Sequence, residues 1–216
     1  LTGDRALEHT PDLITIRDCL QMTSGLADYM VDQTILSSPD TNPLKEWTPE
    51  DLLNAINNLT PFFTPGSTLP NPYQVQFFNV AADEAPRIPH WWYTNSGYTL
   101  LGMIVEEITG NKLEDVIKTR IVDKIGLGNT FFATDEEFPP NMMRGYTHYD
   151  ATQSERVHEN WHDMTVLNVS YAWSAGAVVS TPWDLLRFAE AIFNEESIIN
   201  EGTRQKWYRF ESADIR

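Results

Sequence analysis

The chain is poor in exactly those features that would place it in several common classes. It holds a single cysteine, Cys19, so no disulfide can close within it, and the lone thiol says nothing about compartment. It has no run approaching the roughly 18 apolar residues of a membrane-spanning helix. Basic residues are scarce: 15 Lys plus Arg stand against 31 Asp plus Glu, a formal charge of -16 spread along the whole length. Such a field repels phosphate backbones and argues against a nucleic-acid partner, and a very soluble acidic surface accounts for it. There is no internal repeat, and the opening "LTGDRALEHTPDLITIRD" has neither an initiator Met nor a basic-then-apolar pattern. What is present is ample core material: 41% of residues are hydrophobic, with seven Trp, eight Tyr and ten Phe among the 216. One mainly α-helical region with a few short strands is expected over residues 1–216.

Helix signals are clear. Thr15 can cap a helix carrying Ile16, Cys19 and Leu20 on one face, with Gly25 of "MTSGL" placed to end it. In "WTPEDLLNAINNL", Thr48 caps, Pro49 fills the first turn, and Leu52, Leu53 and Ile56 share a face. "SGYTLLGMIVEEITG" predicts a helix with Tyr98, Leu101, Val105 and Ile108 inward and Gly110 as stop. Another is expected from Leu113 to Ile121, followed by a turn and a short extended piece in "GLGNTFF". Ser180 or Thr181 opens a helix at Pro182, with Asp184 in its first turn and Leu185, Phe188, Ala189 and Ile192 as its buried stripe, and a last short helix spans 200–208. Residues 60–92 carry six prolines and no sustained period, which reads as a long loop with one short strand at "YQVQFF".

One motif suggests metal chemistry. "HENWH" places His158 and His162 four apart, as zinc ligands on one helical face would be, with Glu159 as general base. Its surroundings are polar and turn-like, and no Gly-x-x-His follows to supply a third ligand. A surface excursion is the favoured reading; no metal and no cofactor are expected, and a zinc peptidase is the lesser alternative.

Three phrases in fixed order carry more weight: "ITIRDCLQMTSGLADY" at 14–29, "YTNSGYTLLGMIVEEITG" at 93–110 and "SAGAVVSTPWDLLRFAEAIF" at 174–193. Together they resemble the serine beta-lactamase and penicillin-binding-protein superfamily, in the branch of class C beta-lactamases, D-alanyl-D-alanine carboxypeptidases, D-aminopeptidases and beta-lactamase-like esterases. The resemblance runs from about Ile14 to Trp207. It implies the helical region of the α+β transpeptidase-like fold and acyl transfer by an activated serine onto peptide, amide, beta-lactam or ester carbonyls. Tyr93-Thr94-Asn95 matches the family's Tyr-x-Asn loop, which makes Tyr93 the candidate proton carrier and Asn95 the candidate donor to a substrate carbonyl. By the same resemblance Tyr171 and Trp173 are candidate pocket-lining, substrate-binding residues. Ser24 and Ser174 are read as structural hydroxyls, since neither has a basic partner in register.

Two family elements are missing. No serine is followed three residues later by lysine, and there is no Lys-Thr-Gly or His-Thr-Gly. The expectation is a central segment of a longer enzyme, with partner segments at both ends and no activity of its own; a non-catalytic binding module is the alternative. A further departure is the 26 residues, 67–92, between Pro65-Gly66 and Tyr93, where the family needs only a few. A small-molecule or peptide substrate and a periplasmic or extracellular location are what the resemblance implies.

Overall fold

The computed structural model describes residues 5–8, 12–67, 91–134, 139, 142–147, 162–193 and 198–208. The elements run α1 (Ile16–Gln21), a 3-10 turn (Tyr29–Val31), α2 (Gln33–Leu36), α3 (Ser38–Thr41), α4 (Pro49–Asn57), α5 (Ser96–Thr109), α6 (Leu113–Ile117), a π turn (Lys118–Val122), α7 (Asp123–Ile125), α8 (Trp173–Gly176), α9 (Pro182–Phe193) and α10 (Glu201–Tyr208). Two small antiparallel ladders accompany them. Strand β1 (Phe131–Phe132) pairs with β4 (Val178–Val179), and β2 (Tyr146–Thr147) pairs with β3 (His162–Asp163).

The caps explain where helices begin. Thr15 accepts from the Asp18 N–H at 3.2 Å while Asp18 accepts from the Thr15 N–H at 2.9 Å, and Thr48 with Asp51 repeats the arrangement. Thr181 accepts from the Asp184 N–H, so Thr181 caps α9. Helix α1 ends earlier than expected. Met22, at φ 59, takes the left-handed capping position, and Gly25 belongs to the turn beyond it. Of the face expected for α1 only Cys19 is buried; Ile16 and Leu20 are each 53% exposed.

Helix α5 forms the axis of the core, packed by α1, α4, α6 and α8. Its buried residues are Ser96, Gly97, Thr99, Leu100, Gly102 and Met103, while Leu101 and Val105 are half-buried and Ile108 is 77% exposed. The expected face is therefore turned, because neighbours approach α5 closely enough to require small residues. A Cβ on Gly97 would lie 3.2 Å from the Cys19 backbone, and one on Gly102 would lie 2.5 Å from the Ser174 side chain. Large apolar residues mark the buried face poorly when packing is this tight.

The stripe expected on α9 is also corrected. Ile192 is buried and Phe188 and Ala189 are half-buried, but Leu185 is 58% exposed. The inward position of that first turn belongs to Asp184, which accepts from the Asn129 N–H at 2.7 Å and the Thr130 hydroxyl at 2.9 Å. The helix expected over 113–121 extends to Ile125 through the π turn. The strand expected at "YQVQFF" lies outside the described residues.

Candidate active site

The Tyr-x-Asn loop is delivered by two contacts, one to the C-cap of α1 and one to the segment after α4. The Trp92 N–H donates to the Met22 carbonyl at 3.1 Å, and the Trp92 ring meets Phe62 edge-on at 5.6 Å between centroids. Thr94 is buried and its hydroxyl accepts from the Ser96 N–H at 3.1 Å. This fastening on both sides leaves Tyr93 between them 54% exposed.

Tyr93 and Asn95 are brought together. The Tyr93 hydroxyl donates to Asn95 Oδ1 at 3.1 Å. Asn95 in turn points its amide nitrogen at Asp28, with Nδ2 2.9 Å from Oδ2 and 3.2 Å from Oδ1, and its backbone N–H reaches Oδ2 at 3.4 Å. Asn95 caps α5 by position only, since its side chain makes no capping bond. Asp28 also accepts from the Met30 N–H at 3.0 Å.

Beneath this corner sits Tyr29, fully buried. Its N–H donates to Ser96 Oγ at 3.1 Å, the Ser96 hydroxyl donates to the Ala27 carbonyl at 2.5 Å, and the Tyr29 hydroxyl donates to the Tyr171 carbonyl at 2.7 Å. Burial pushes the Tyr29 phenol far above its ordinary value, opposed by a hydrogen bond with Thr99 and reinforced by Asp28, Tyr171 and Tyr93 nearby. Tyr29 is thus a neutral strut joining the segment after α1 to the start of α5 and to the Tyr171 backbone.

The other sequence-predicted residues fall differently. Tyr171 reaches the corner through its backbone carbonyl; its half-buried side chain packs against the core, and burial raises its phenol. Trp173 is 4% exposed and belongs to the core. The opening it does line is a groove of about 580 Å³ that also includes Arg5, Trp47, Glu106 and Gly110, at the far end of α5. Fourteen helical residues, roughly 20 Å at 1.5 Å each, separate that end from Asn95. Trp173 holds φ 31, a left-handed backbone disfavoured for a side chain of its size, while the adjacent Ser174 hydroxyl donates to the Tyr98 carbonyl at 2.9 Å. Ser24 is 1% exposed and accepts from the Leu26 N–H. Neither serine is presented as a nucleophile.

His162 lies in β3, its backbone paired with Thr147, so a helix carrying both histidines of "HENWH" does not extend through it. His158 and Glu159 lie outside the described residues. Among the described residues no cluster of three metal-ligating side chains occurs.

Sequence reasoning missed Asp28, Tyr29 and Ser96. The signal available was the acid and phenol that close the first phrase, "SGLADY".

With this geometry in hand, the comparisons with known proteins are decisive on kinship. Residues 5–212 match the Beta-lactamase family. The chain belongs to that family. Penicillin-binding protein 4* of Bacillus subtilis (strain 168) is 26% identical over 192 residues, which cover 86% of this chain and 37% of that protein. Among solved structures, a D-stereospecific amidohydrolase from Streptomyces sp. superposes with a TM-score of 0.75 at 23% identity, covering 96% of this chain and 54% of the other. The D-amino acid amidase of Ochrobactrum anthropi SV3, in its complex with L-phenylalanine amide, gives 0.67 at 25% identity, covering 93% and 49%. The chain spans between a third and about half of the length of these relatives. The helix-rich beta-lactamase and transpeptidase-like fold is thereby established, for a region with few strands. No helix among the described residues is long and apolar enough to cross a membrane.

Proposed function

We propose that residues 1–216 supply the Tyr-x-Asn wall of the cleft of a serine hydrolase that works through an acyl-enzyme. The observation that carries this reading is the exposed Tyr93 hydroxyl, held by Asn95, which is itself held by Asp28. An accessible phenol fixed by a rigid amide is suited to moving a proton at a reacting atom. In the proposed step the serine O–H bond breaks as its oxygen bonds to the substrate carbonyl carbon, the C–N bond breaks, and Tyr93 relays the serine proton to the departing nitrogen. Water then cleaves the ester and returns a proton to the serine.

The substrate class proposed is D-amino-acid amides and D-Ala-D-Ala-like peptides, with beta-lactams and esters as acyl donors of the same kind. The likeness to a D-amino acid amidase at 25% identity supports the amide. The nucleophile belongs to a Ser-x-x-Lys that residues 1–216 do not contain, so this chain by itself is proposed to be inactive, with Tyr171 backing the cleft wall through Tyr29. A periplasmic or extracellular site of action is part of the same proposal.

The test uses the full-length gene product, its Tyr93→Phe variant and the 216-residue chain, with a fluorescent penicillin and D-phenylalanine amide. The expected outcome is labelling and turnover by the full-length protein, a loss on the order of 10²–10⁴-fold in kcat for Tyr93→Phe, and neither activity in the chain alone. An intact protein that is neither labelled nor active on amides and esters refutes the reading, as does a Tyr93→Phe variant of unchanged rate.

A further inference from the structure

The Asn95 carboxamide has a donor end and an acceptor end of nearly identical shape, and its surroundings decide which faces where. A carboxylate only accepts. With Asp28 2.9 and 3.2 Å from one end of the amide, that end must be the NH2 group, and Oδ1 is turned outward to the Tyr93 hydroxyl 3.1 Å away. Turned over, the amide would set its carbonyl oxygen against the carboxylate with no proton between them and offer its NH2 to a hydroxyl.

Asp28 is itself immobilised. It accepts from the Met30 N–H, capping the Tyr29–Val31 turn, and its neighbours on both sides are tied to Ser96, Ala27 through its carbonyl and Tyr29 through its N–H. Residues 27–29 and 95–96 are thus riveted together across 67 positions of sequence. A fixed, half-buried acceptor therefore dictates the polarity of a pair whose outer member, Tyr93, is exposed.

We propose that Asp28 is a positioning residue that sets the direction of the Tyr93–Asn95 hydrogen bond, holding the Asn95 amide NH2-inward so that Tyr93 is kept as donor to Asn95. The lone pairs of the phenol oxygen are then left to receive an O–H or N–H presented in the cleft. The catalytic meaning of this device rests on the acyl-transfer reading; the positioning does not, and can be tested in the chain alone.

Asp28→Asn is the informative variant. It is nearly isosteric and retains a good N-cap for the 3-10 turn, but it brings an NH2 group against the Asn95 NH2, so the Asn95 amide must turn over or move away. Adding Asn95→Asp exchanges the two partners. The introduced carboxamide at 28 then donates to the introduced carboxylate at 95, which reverses that one bond, while the carboxylate's other oxygen again accepts from Tyr93, so the direction of the Tyr93 bond is restored.

In the 216-residue chain the readout is the side-chain amide resonances of Asn95, assigned by their loss in Asn95→Asp. Shifted, slowly exchanging signals are expected in the parent sequence and free-amide values in Asp28→Asn. In the full-length protein Asp28→Asn is expected to lower kcat on the order of 10²-fold with KM changed less than threefold, and the exchanged pair to recover at least a tenth of the original rate. Asn95 resonances that ignore Asp28→Asn overturn the proposal. So does an exchanged pair that folds no better or works no faster than the single variant. If the full-length protein shows no acyl transfer, the functional reading fails while the resonances still decide the positioning.

Discussion

Replacing Gly25 with alanine probes how the segment leading to the site is held. Gly25 has φ +75, and a Cβ there would collide with the Phe63 carbonyl oxygen and fall 2.8 Å from its carbon and 3.0 Å from the Phe63 ring. The approach is close because the Phe62 N–H donates to the Gly25 carbonyl at 2.7 Å. Left-handed backbone costs a non-glycine residue about 1–2 kcal/mol, and forcing a methyl into packed surroundings adds about 1–3 kcal/mol. Gly66 isolates the two effects, since it has φ +72 but nothing within 4 Å of its would-be Cβ. Gly66→Ala should then cost about 1–2 kcal/mol and Gly25→Ala about 2–5 kcal/mol. At roughly 2–4 °C per kcal/mol for a chain of this length, circular-dichroism melts should show Gly25→Ala falling well below Gly66→Ala. Equal melting temperatures for the two variants would refute the close approach.

Other consequences can be checked on the same chain. Tyr29→Phe removes the 2.7 Å donation to the Tyr171 carbonyl from a fully buried position and should cost about 1–3 kcal/mol, read as a lower urea midpoint at unchanged m-value. Partial burial raises Asp18, but hydrogen bonds from the Thr15 hydroxyl and N–H and the Thr23 hydroxyl outweigh it and hold the carboxyl below its ordinary value. A carboxyl depressed on folding contributes stability above its unfolded pKa, near 3.9, and that contribution disappears as pH falls through the lower folded value. Asp18→Asn should therefore cost stability at pH 7 and progressively less below about pH 4, in urea titrations at each pH. Burial, aided by Asp18, pushes the Cys19 thiol up to about 11, so a thiol reagent at pH 8 should label Cys19 only as the chain unfolds; rapid labelling of native protein would contradict its burial.

Local chemistry made much of the fold legible. Thr15, Thr48, Pro49 and Thr181 announce helix starts because each cap is satisfied within three residues, and the structure places helices after all of them. The Tyr93-Thr94-Asn95 phrase likewise marked a loop whose Tyr93 and Asn95 side chains meet. What stayed hidden was decided over long separations. The pairing of Asn95 with Asp28 spans 67 residues, and no periodicity encodes it. The inward face of α5 was misread because glycine, serine and threonine occupy its tightest contacts, whereas the large apolar residues that a pattern search favours include Ile108, left exposed at the far end. Leu185 was misplaced for a related reason: a buried carboxylate, Asp184, takes the inward position to satisfy the Asn129 N–H. Trp173 carried a family expectation into a position where its ring serves the core.

We propose that this chain provides the Tyr-x-Asn wall, and not the nucleophile, of an acyl-transferring cleft. Mass spectrometry of the full-length protein after reaction with a penicillin tests it most directly. The expected result is one covalent adduct, on a serine outside residues 1–216, whose rate of formation collapses in Tyr93→Phe. An adduct on Ser24, Ser174 or any other residue of this chain, or one that forms at the same rate without the Tyr93 hydroxyl, would contradict it.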